Sequence, residues 1–397
     1  MTDLQDSHPI YLEHLLQVLR RGLQSKEEVQ FVLPEFGRVL VPMEFHDLVS
    51  VRDPITVQET RTPPREILHL IHAGFVVVLT GDFRRIAGIL TYLSRHKDDL
   101  IPPTLFAHVA NRFERSKATA QAARVALHRL MVVFRGDRIQ RVHHAPDLRG
   151  LMRYLEGDTA YLRDRHFLLP VRKALRIATD IQRFREGVWI PALGGRLYVF
   201  PHVFVPSDQK VVTLLADHLD VRETDRVLDM GTGTGLLALI VARKGAHTVV
   251  ATDNNPAAVN NARFNVEHWG LTERIDVRGP AHLFEGLQGE RFDVMLFNAP
   301  WIEGEPKTLY ETAIYDKDYA VITEFIQRAP DHLTSEGRVL LQYSKISQLT
   351  GHGSIQNLHD LIEANGLTIV QRWSTARLGR VLGDQERLFL YDIRRKP

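Results

Sequence analysis

The sequence contains no cysteine, which excludes disulfides, thiolate nucleophiles and cysteine-ligated zinc. No apolar run approaches the ~18 residues of a membrane-crossing helix. Met1 to Pro9 is acidic and polar, unlike a secretory signal. A cytoplasmic location without membrane contact is therefore expected. Internal repeats and low-complexity tracts are lacking, as are Gly-x-Ser-x-Gly, Walker and His-Glu-x-x-His patterns, so serine hydrolase, P-loop ATPase and zinc protease readings have no support. His143-His144 has no carboxylate at ligand spacing, and no metal is expected.

Overall charge is nearly balanced, with 50 Lys and Arg against 48 Asp and Glu, but it is unevenly placed. Residues 101–200 hold 18 basic against 8 acidic side chains, including Arg112, Arg115, Arg124, Arg135, Arg138, Arg141, Arg172 and Lys173. Such a stretch suits RNA phosphates, an acidic partner or a carboxylate substrate, and equally an ordinary solvated helical surface. Few aromatics are interleaved with it, which weighs against a single-strand RNA platform.

At 397 residues the chain is long enough for two domains with real cores. Apolar spacing predicts helices over Tyr11 to Leu23, Ile67 to Ile71 and Phe83 to Tyr92, around the apolar run Phe75 to Leu79. Leu105 to Phe134 reads as a long alanine- and arginine-rich helical stretch broken once, and Leu168 to Glu186 as a basic amphipathic helix. Residues 1–185 are thus expected to be a mostly helical accessory or substrate-recognition domain with a few strands. Trp189 to Ala192 and Arg196 to Phe200, separated by Leu193-Gly194-Gly195, predict a β-hairpin within a linking segment 186–206. Residues 207–397 alternate strands and helices, and Thr368 to Trp373 with Arg387 to Asp392 predict an antiparallel hairpin at one sheet edge.

The most informative stretch lies in this second part. A run ending in Asp229, then Gly231, Gly233 and Gly235 at alternate positions, then the apolar stretch Leu236 to Ala242, predict a buried strand, a tight turn and a helix. Glycines admit a ligand close to the backbone, and the helix start points unpaired N–H groups at it. The next strand, Thr248 to Thr252, ends in Asp253, where a carboxylate can accept both hydroxyls of a ribose. Dinucleotide folds usually carry Gly-x-Gly-x-x-Gly without the preceding acid. About seventy residues on, Phe297-Asn298-Ala299-Pro300-Trp301 follows a fourth predicted strand, at the edge of such sheets where ligands bind.

These residues resemble class I S-adenosylmethionine (SAM) dependent methyltransferases. Asp229 to Gly235 is similar to their first motif and Asp253 to their second-strand acid. Asn298-Ala299-Pro300-Trp301 resembles the Asn-Pro-Pro-aromatic tetrad of the methyltransferase small domain group, which includes the release-factor glutamine and adenine exocyclic-amine enzymes. Val205-Pro206-Ser207-Asp208 and the asparagine-rich helix Asn254 to Gly270 share the resemblance, which spans Val188 to the C-terminus. It implies an α/β fold with a Rossmann-like seven-stranded sheet, SAM as cofactor and N-methylation of a planar amide or amine in protein or RNA. Alternatives are a small-molecule N-methyltransferase capped by the N-terminal domain, and a non-catalytic SAM- or RNA-binding module. Similar hairpins join recognition and catalytic domains in the glutamine methyltransferases.

The resemblance also assigns roles. Asp229, Gly231, Thr232, Gly233, Gly235, Asp253, Asn254 and Asn298 would bind the cofactor, with Asp229 orienting its ammonium and Asp253 its ribose. The delocalised lone pair of a planar nitrogen makes it a poor nucleophile, so the Asn298 side-chain oxygen and the Ala299 carbonyl would take its two hydrogens, Trp301 would stack on the flat group, and Pro300 would stiffen the loop. Ala299 stands where the family has its first proline, and Trp301 where Tyr or Phe is commoner. At Gly279-Pro280-Ala281 the acid that many members use for the adenine amine is missing, leaving backbone and apolar contacts near His282 to Phe284. Phe204, Pro206 and Asp208 occupy the position of a lid over the methionine end. Tyr310, Tyr315 and Tyr319 would close over the acceptor or pack in the core.

Overall fold

Apolar runs become the central strands of two separate sheets. The computed structural model describes residues 29–46, 49–101, 103–109, 112–155, 159–206, 208–344, 358–376 and 387–396, and contacts divide the chain into units 1–181 and 182–397. The helix expected over Tyr11 to Leu23 lies outside the described residues.

The first unit is organised by eight strands: β1 (Gln30–Leu33), β2 (Gly37–Leu40), β3 (Ile55–Glu59), β4 (Val76–Asp82), β5 (Leu130–Arg135), β6 (Arg138–Ile139), β7 (Val142–His143) and β8 (His166–Pro170). They run in the order β1-β2-β8-β5-β4-β3, with β6 on β5 and β7 on β4. Val76–Leu79 and Leu130–Phe134 are buried on both faces, so each reads as an unbroken apolar run rather than an alternating one. Around the sheet lie α1 (Pro64–His72), α2 (Phe83–Arg95), α3 (Lys97–Leu100), α4 (Arg112–His128) and α5 (Val171–Glu186). Helices cover more residues than strands among the described residues, but the sheet is far more extensive than the few strands anticipated.

Two boundaries need correction. The reading of Leu105 to Phe134 as helical fails after His128, because Leu130–Arg135 is the central strand β5. Between them, Arg129 is buried and pairs with Asp53 at 3.3 Å while donating to the Gly74 carbonyl at 2.5 Å. Leu168 to Pro170 likewise belong to β8, and the helix starts at Val171. Part of the basic stretch is thus internal, while Arg124, Arg135, Arg138 and Arg172 are exposed.

The second unit begins with the hairpin β9 (Val188–Ile190) and β10 (Gly195–Leu197), paired antiparallel. Its main sheet comprises β11 (Arg226–Met230), β12 (Thr248–Thr252), β13 (Ile275–Arg278), β14 (Phe292–Asn298), β17 (Leu333–Ser344), β18 (Leu367–Ala376) and β19 (Arg387–Arg395). The order is β13-β12-β11-β14-β17-β19-β18. The first five strands are parallel, and β19 and β18 run antiparallel at one edge. This is the seven-stranded Rossmann-like α/β sheet implied by the motifs.

Alternation along each strand splits the core in two. Val227, Val249, Ala251, Val294 and Leu296 face one apolar cluster, while Leu228, Val250, Met295 and Phe297 face the other. Helices α6 (Gln209–His218), α7 (Leu236–Arg243), α8 (Pro256–His268), α9 (Ala320–His332) and α10 (Leu358–Ala364) complete the unit. Strand order reverses between β11, which leads to β12 and β13, and β14, which leads to β17. A crevice is expected outside the carboxyl ends of strands at such a reversal.

Candidate active site

Asp229 lies in the buried part of β11, one residue before its end, and braces the glycine loop from within. One of its carboxylate oxygens accepts the Thr232 hydroxyl at 2.6 Å and the Ala238 N–H of α7 at 3.0 Å; the other is buried and has no partner. Burial pushes this carboxyl up to about 7, with the two hydrogen bonds pulling the other way. The loop itself turns through left-handed positions at Gly231, Gly233 and Gly235, with φ of +66°, +56° and +82°.

Gly235 has a second reason to be glycine. A Cβ there would stand 3.2 Å from Ala262 Cα and 3.3 Å from Ala262 Cβ, so a methyl group would require α8 to give by a few tenths of an ångström. Gly235→Ala combines an unfavourable φ with that contact and is expected to lower stability by roughly 1–3 kcal/mol. Chemical denaturation checks this, and an unchanged midpoint would show that α8 simply yields.

Asp253 at the end of β12 faces the loop from the other side. Its oxygens accept the N–H of Gly233 and of Asn255, each at 2.8 Å, and burial raises its pKa. These backbone bonds leave lone pairs on this carboxylate for a ligand. Asn255 caps α8 by accepting from Ala257 and donates to the His202 carbonyl. Further along α8, Asn261 accepts from the Phe200 N–H, and Asn265 accepts from the Tyr198 N–H while donating to the Tyr198 and Thr234 carbonyls. The asparagine-rich helix therefore ties residues 198–202 to the glycine loop. The asparagines were visible in the sequence, but not that these buried amides substitute for a strand partner.

Asn298 closes β14 opposite Gln342 of β17. Its side-chain oxygen is buried and has no hydrogen-bond partner. A cavity of about 260 Å³, near the lower end of the ~300–1,000 Å³ usual for small-molecule sites, is lined by Gly231, Gly233, Asp253, Asn254, Asn298 and Pro300. Asp229, Thr232 and Gly235 stand behind this wall. Ala299 is buried among the core residues, and Trp301 packs against both apolar clusters, leaving the cavity wall to other aromatics.

Those aromatics come from the segment after Trp301, where β15 (Ile302–Glu303) pairs with β16 (Tyr315–Asp316). Tyr310 and Tyr315 line the cavity; Tyr319 packs into the core. Phe204 also lines it, its ring 6.3 Å from Tyr310. Buried Asp316 accepts the N–H groups of Val321 and Ile322 and so fixes the start of α9 beside the cavity. Sequence reasoning passed over Asp316, and nothing in its local pattern distinguishes it. His144 pairs with Asp82 at 2.6 Å on the first unit's surface. Among the described residues, no helix is long and apolar enough to cross a membrane.

Residues 201–351 match the methyltransferase small domain family. A putative protein N5-glutamine methyltransferase of Methanocaldococcus jannaschii is 34% identical over 164 residues, 39% of this chain and 78% of that protein. A tRNA1(Val) (adenine(37)-N6)-methyltransferase of Trichodesmium erythraeum is 26% identical over 163 residues, 38% of this chain and 68% of that protein. A release factor glutamine methyltransferase of Salmonella typhimurium is 29% identical over 188 residues, 42% of this chain and 67% of that protein.

Proposed function

Because the chain belongs, through its C-terminal half, to the methyltransferase small domain family and is a SAM-dependent methyltransferase, we propose that it methylates a planar amide or amine nitrogen of a protein or an RNA. Its relatives act on protein glutamine and on tRNA adenine. The observation that carries the reading is Asn298: a buried carbonyl oxygen without a partner, on a residue lining the same cavity as the glycine loop and Asp253.

The residues fit the cofactor. Left-handed glycines at 231 and 233 line the cavity with bare backbone, Asp253 keeps acceptor capacity for ribose hydroxyls, and the orphaned Asp229 oxygen is a buried acceptor beneath the loop. Bound there, SAM supplies an electrophilic sulfonium methyl group. The Asn298 oxygen accepts one N–H of the acceptor nitrogen, and the Ala299 carbonyl accepts the other. Two such contacts hold the lone pair toward the methyl donor and favour pyramidal nitrogen. Phe204, Tyr310 and Tyr315 exclude water and give the flat group an apolar surface. No strong base is required, since the proton can leave after methyl transfer; the rate gain comes from positioning and fixed dipoles.

Transfer of labelled methyl from SAM to purified release factors, ribosomal proteins or tRNA tests the proposal. Label appearing on an amide or exocyclic amine of one pool supports it. Label on oxygen or carbon alone would reject the nitrogen assignment. With an RNA acceptor, affinity should fall steeply with added salt through counterion release.

Asp229 makes the binding step pH-dependent. Its folded carboxyl holds a proton to about pH 7, whereas an unfolded one loses it near 4, so stability declines as pH rises across that window. A nearby cofactor ammonium favours the ionised carboxylate. SAM affinity should therefore rise from about pH 6 to 8, with proton release visible by calorimetry in buffers of different ionisation enthalpy. Asp229→Asn should flatten the curve, and an identical curve in that variant rejects the assignment.

A further inference from the structure

The cavity continues past Asp253 to a wall formed by Asn254, Ala258, Ala281, His282 and Leu283. On the reading that Asp253 holds the ribose, the adenine base lies against this wall. Ala258, Ala281 and Leu283 offer it only carbon, and Leu283 is held in the left-handed region, φ +43°. The exocyclic amine of adenine is a donor and needs an acceptor. The Asp253 carbonyl already accepts the Ala281 N–H at 2.9 Å. Among the side chains of this wall, the Asn254 amide oxygen and the His282 ring can accept, and only the ring is held by a partner that fixes its donor and acceptor atoms.

Its ring is not free to choose a tautomer. Nε2 lies 3.0 Å from the Glu324 carboxylate of α9, and Glu324 is itself held by Arg328 at 2.9 Å. The His282 and Arg328 contacts keep Glu324 ionised, below the usual carboxylate range. An ionised carboxylate only accepts, so Nε2 must carry the proton, and in the neutral imidazole Nδ1 is left as an acceptor.

We propose that His282, locked by Glu324 into the tautomer with an Nδ1 lone pair, recognises the adenine amine of the cofactor and sets its base specificity. The pair comes from two elements 42 residues apart and takes the place of a carboxylate at the base. His282 is the contacting residue, and Glu324 acts through it as a positioning residue. A base with an oxo group in place of the amine would face lone pair against lone pair. The ring cannot switch tautomer to receive it without losing the bond to Glu324.

The test is calorimetric titration of the full chain with S-adenosylhomocysteine and S-inosylhomocysteine, which differ in amine against oxo at one ring carbon and in the adjacent ring nitrogen, an acceptor in adenine and an N–H donor in hypoxanthine. At about pH 8 the wild type should prefer the adenosyl ligand by roughly tenfold or more. His282→Leu should lose most of that preference by binding the adenosyl ligand more weakly. Glu324→Gln should narrow it from the other side: a glutamine amide can donate to Nε2, letting Nδ1–H meet the oxo group, so the inosyl ligand binds more tightly. A wild type that binds both ligands equally overturns the proposal, as does undiminished preference in either folded variant. Those results leave the SAM reading standing. A wild type that binds neither ligand overturns both. Should His282→Leu not fold, Glu324→Gln decides alone.

Discussion

Asn298→Ala should lower kcat by about a hundredfold or more while leaving the affinity for S-adenosylhomocysteine within about twofold of wild type. The asparagine lines the cavity at the end of β14, and its side-chain oxygen has no partner among the described residues, so truncation removes no hydrogen bond accepted by that oxygen. What it removes is an acceptor for one N–H of the incoming nitrogen. Without it the flat group can rotate, and its lone pair stays delocalised. Single-turnover kinetics with saturating cofactor would separate this from weaker acceptor binding: a lower rate at saturating acceptor locates the loss in the transition state. A parallel loss of cofactor affinity would instead make Asn298 part of the SAM pocket, and an unchanged rate would remove the observation on which the nitrogen assignment rests.

The parts of this site that were legible in the sequence are those written in consecutive residues. Asp229 to Gly235 shows a strand, a turn and a helix start in one pattern, and Phe292 to Trp301 shows a strand and its exit loop; both lie where the sheet reverses. The edge hairpin of β18 and β19 was equally plain, because two alternating runs near the end have few other partners. What stayed hidden depends on contacts between distant residues. β5 follows α4 with only Arg129 between them, and no glycine or proline marks the change, so helical periodicity seemed to run on. Asn261 and Asn265 stand in the sequence only as part of an asparagine-rich helix, and their role rests on partners at 198, 200 and 234. The chemistry of Trp301 suggested a stacking face, yet its local sequence could not say that the two apolar clusters would claim it.

Asp253→Ala should weaken SAM binding by roughly 10²-fold, since hydrogen bonds to a charged group are each worth about 1.5–3 kcal/mol and two ribose hydroxyls would lose their acceptor. Asp253 has a second task that complicates the measurement: it also accepts from Gly233 and Asn255 and so braces the loop. A variant that merely loosened the loop would bind every cofactor analogue more weakly by the same factor. The two roles part when ligands lacking one ribose hydroxyl are compared. The wild type should bind a deoxyribose analogue of S-adenosylhomocysteine about tenfold more weakly than the parent, whereas Asp253→Ala, having no carboxylate to offer, should bind the two nearly alike. Asp253→Asn retains one carbonyl acceptor and should fall between. Equal discrimination in wild type and Asp253→Ala would mean that the ribose is held elsewhere and that this carboxylate serves the glycine loop alone. The β12 edge would then be a brace for β11, and cofactor contact would rest on Gly231, Gly233 and Asn254.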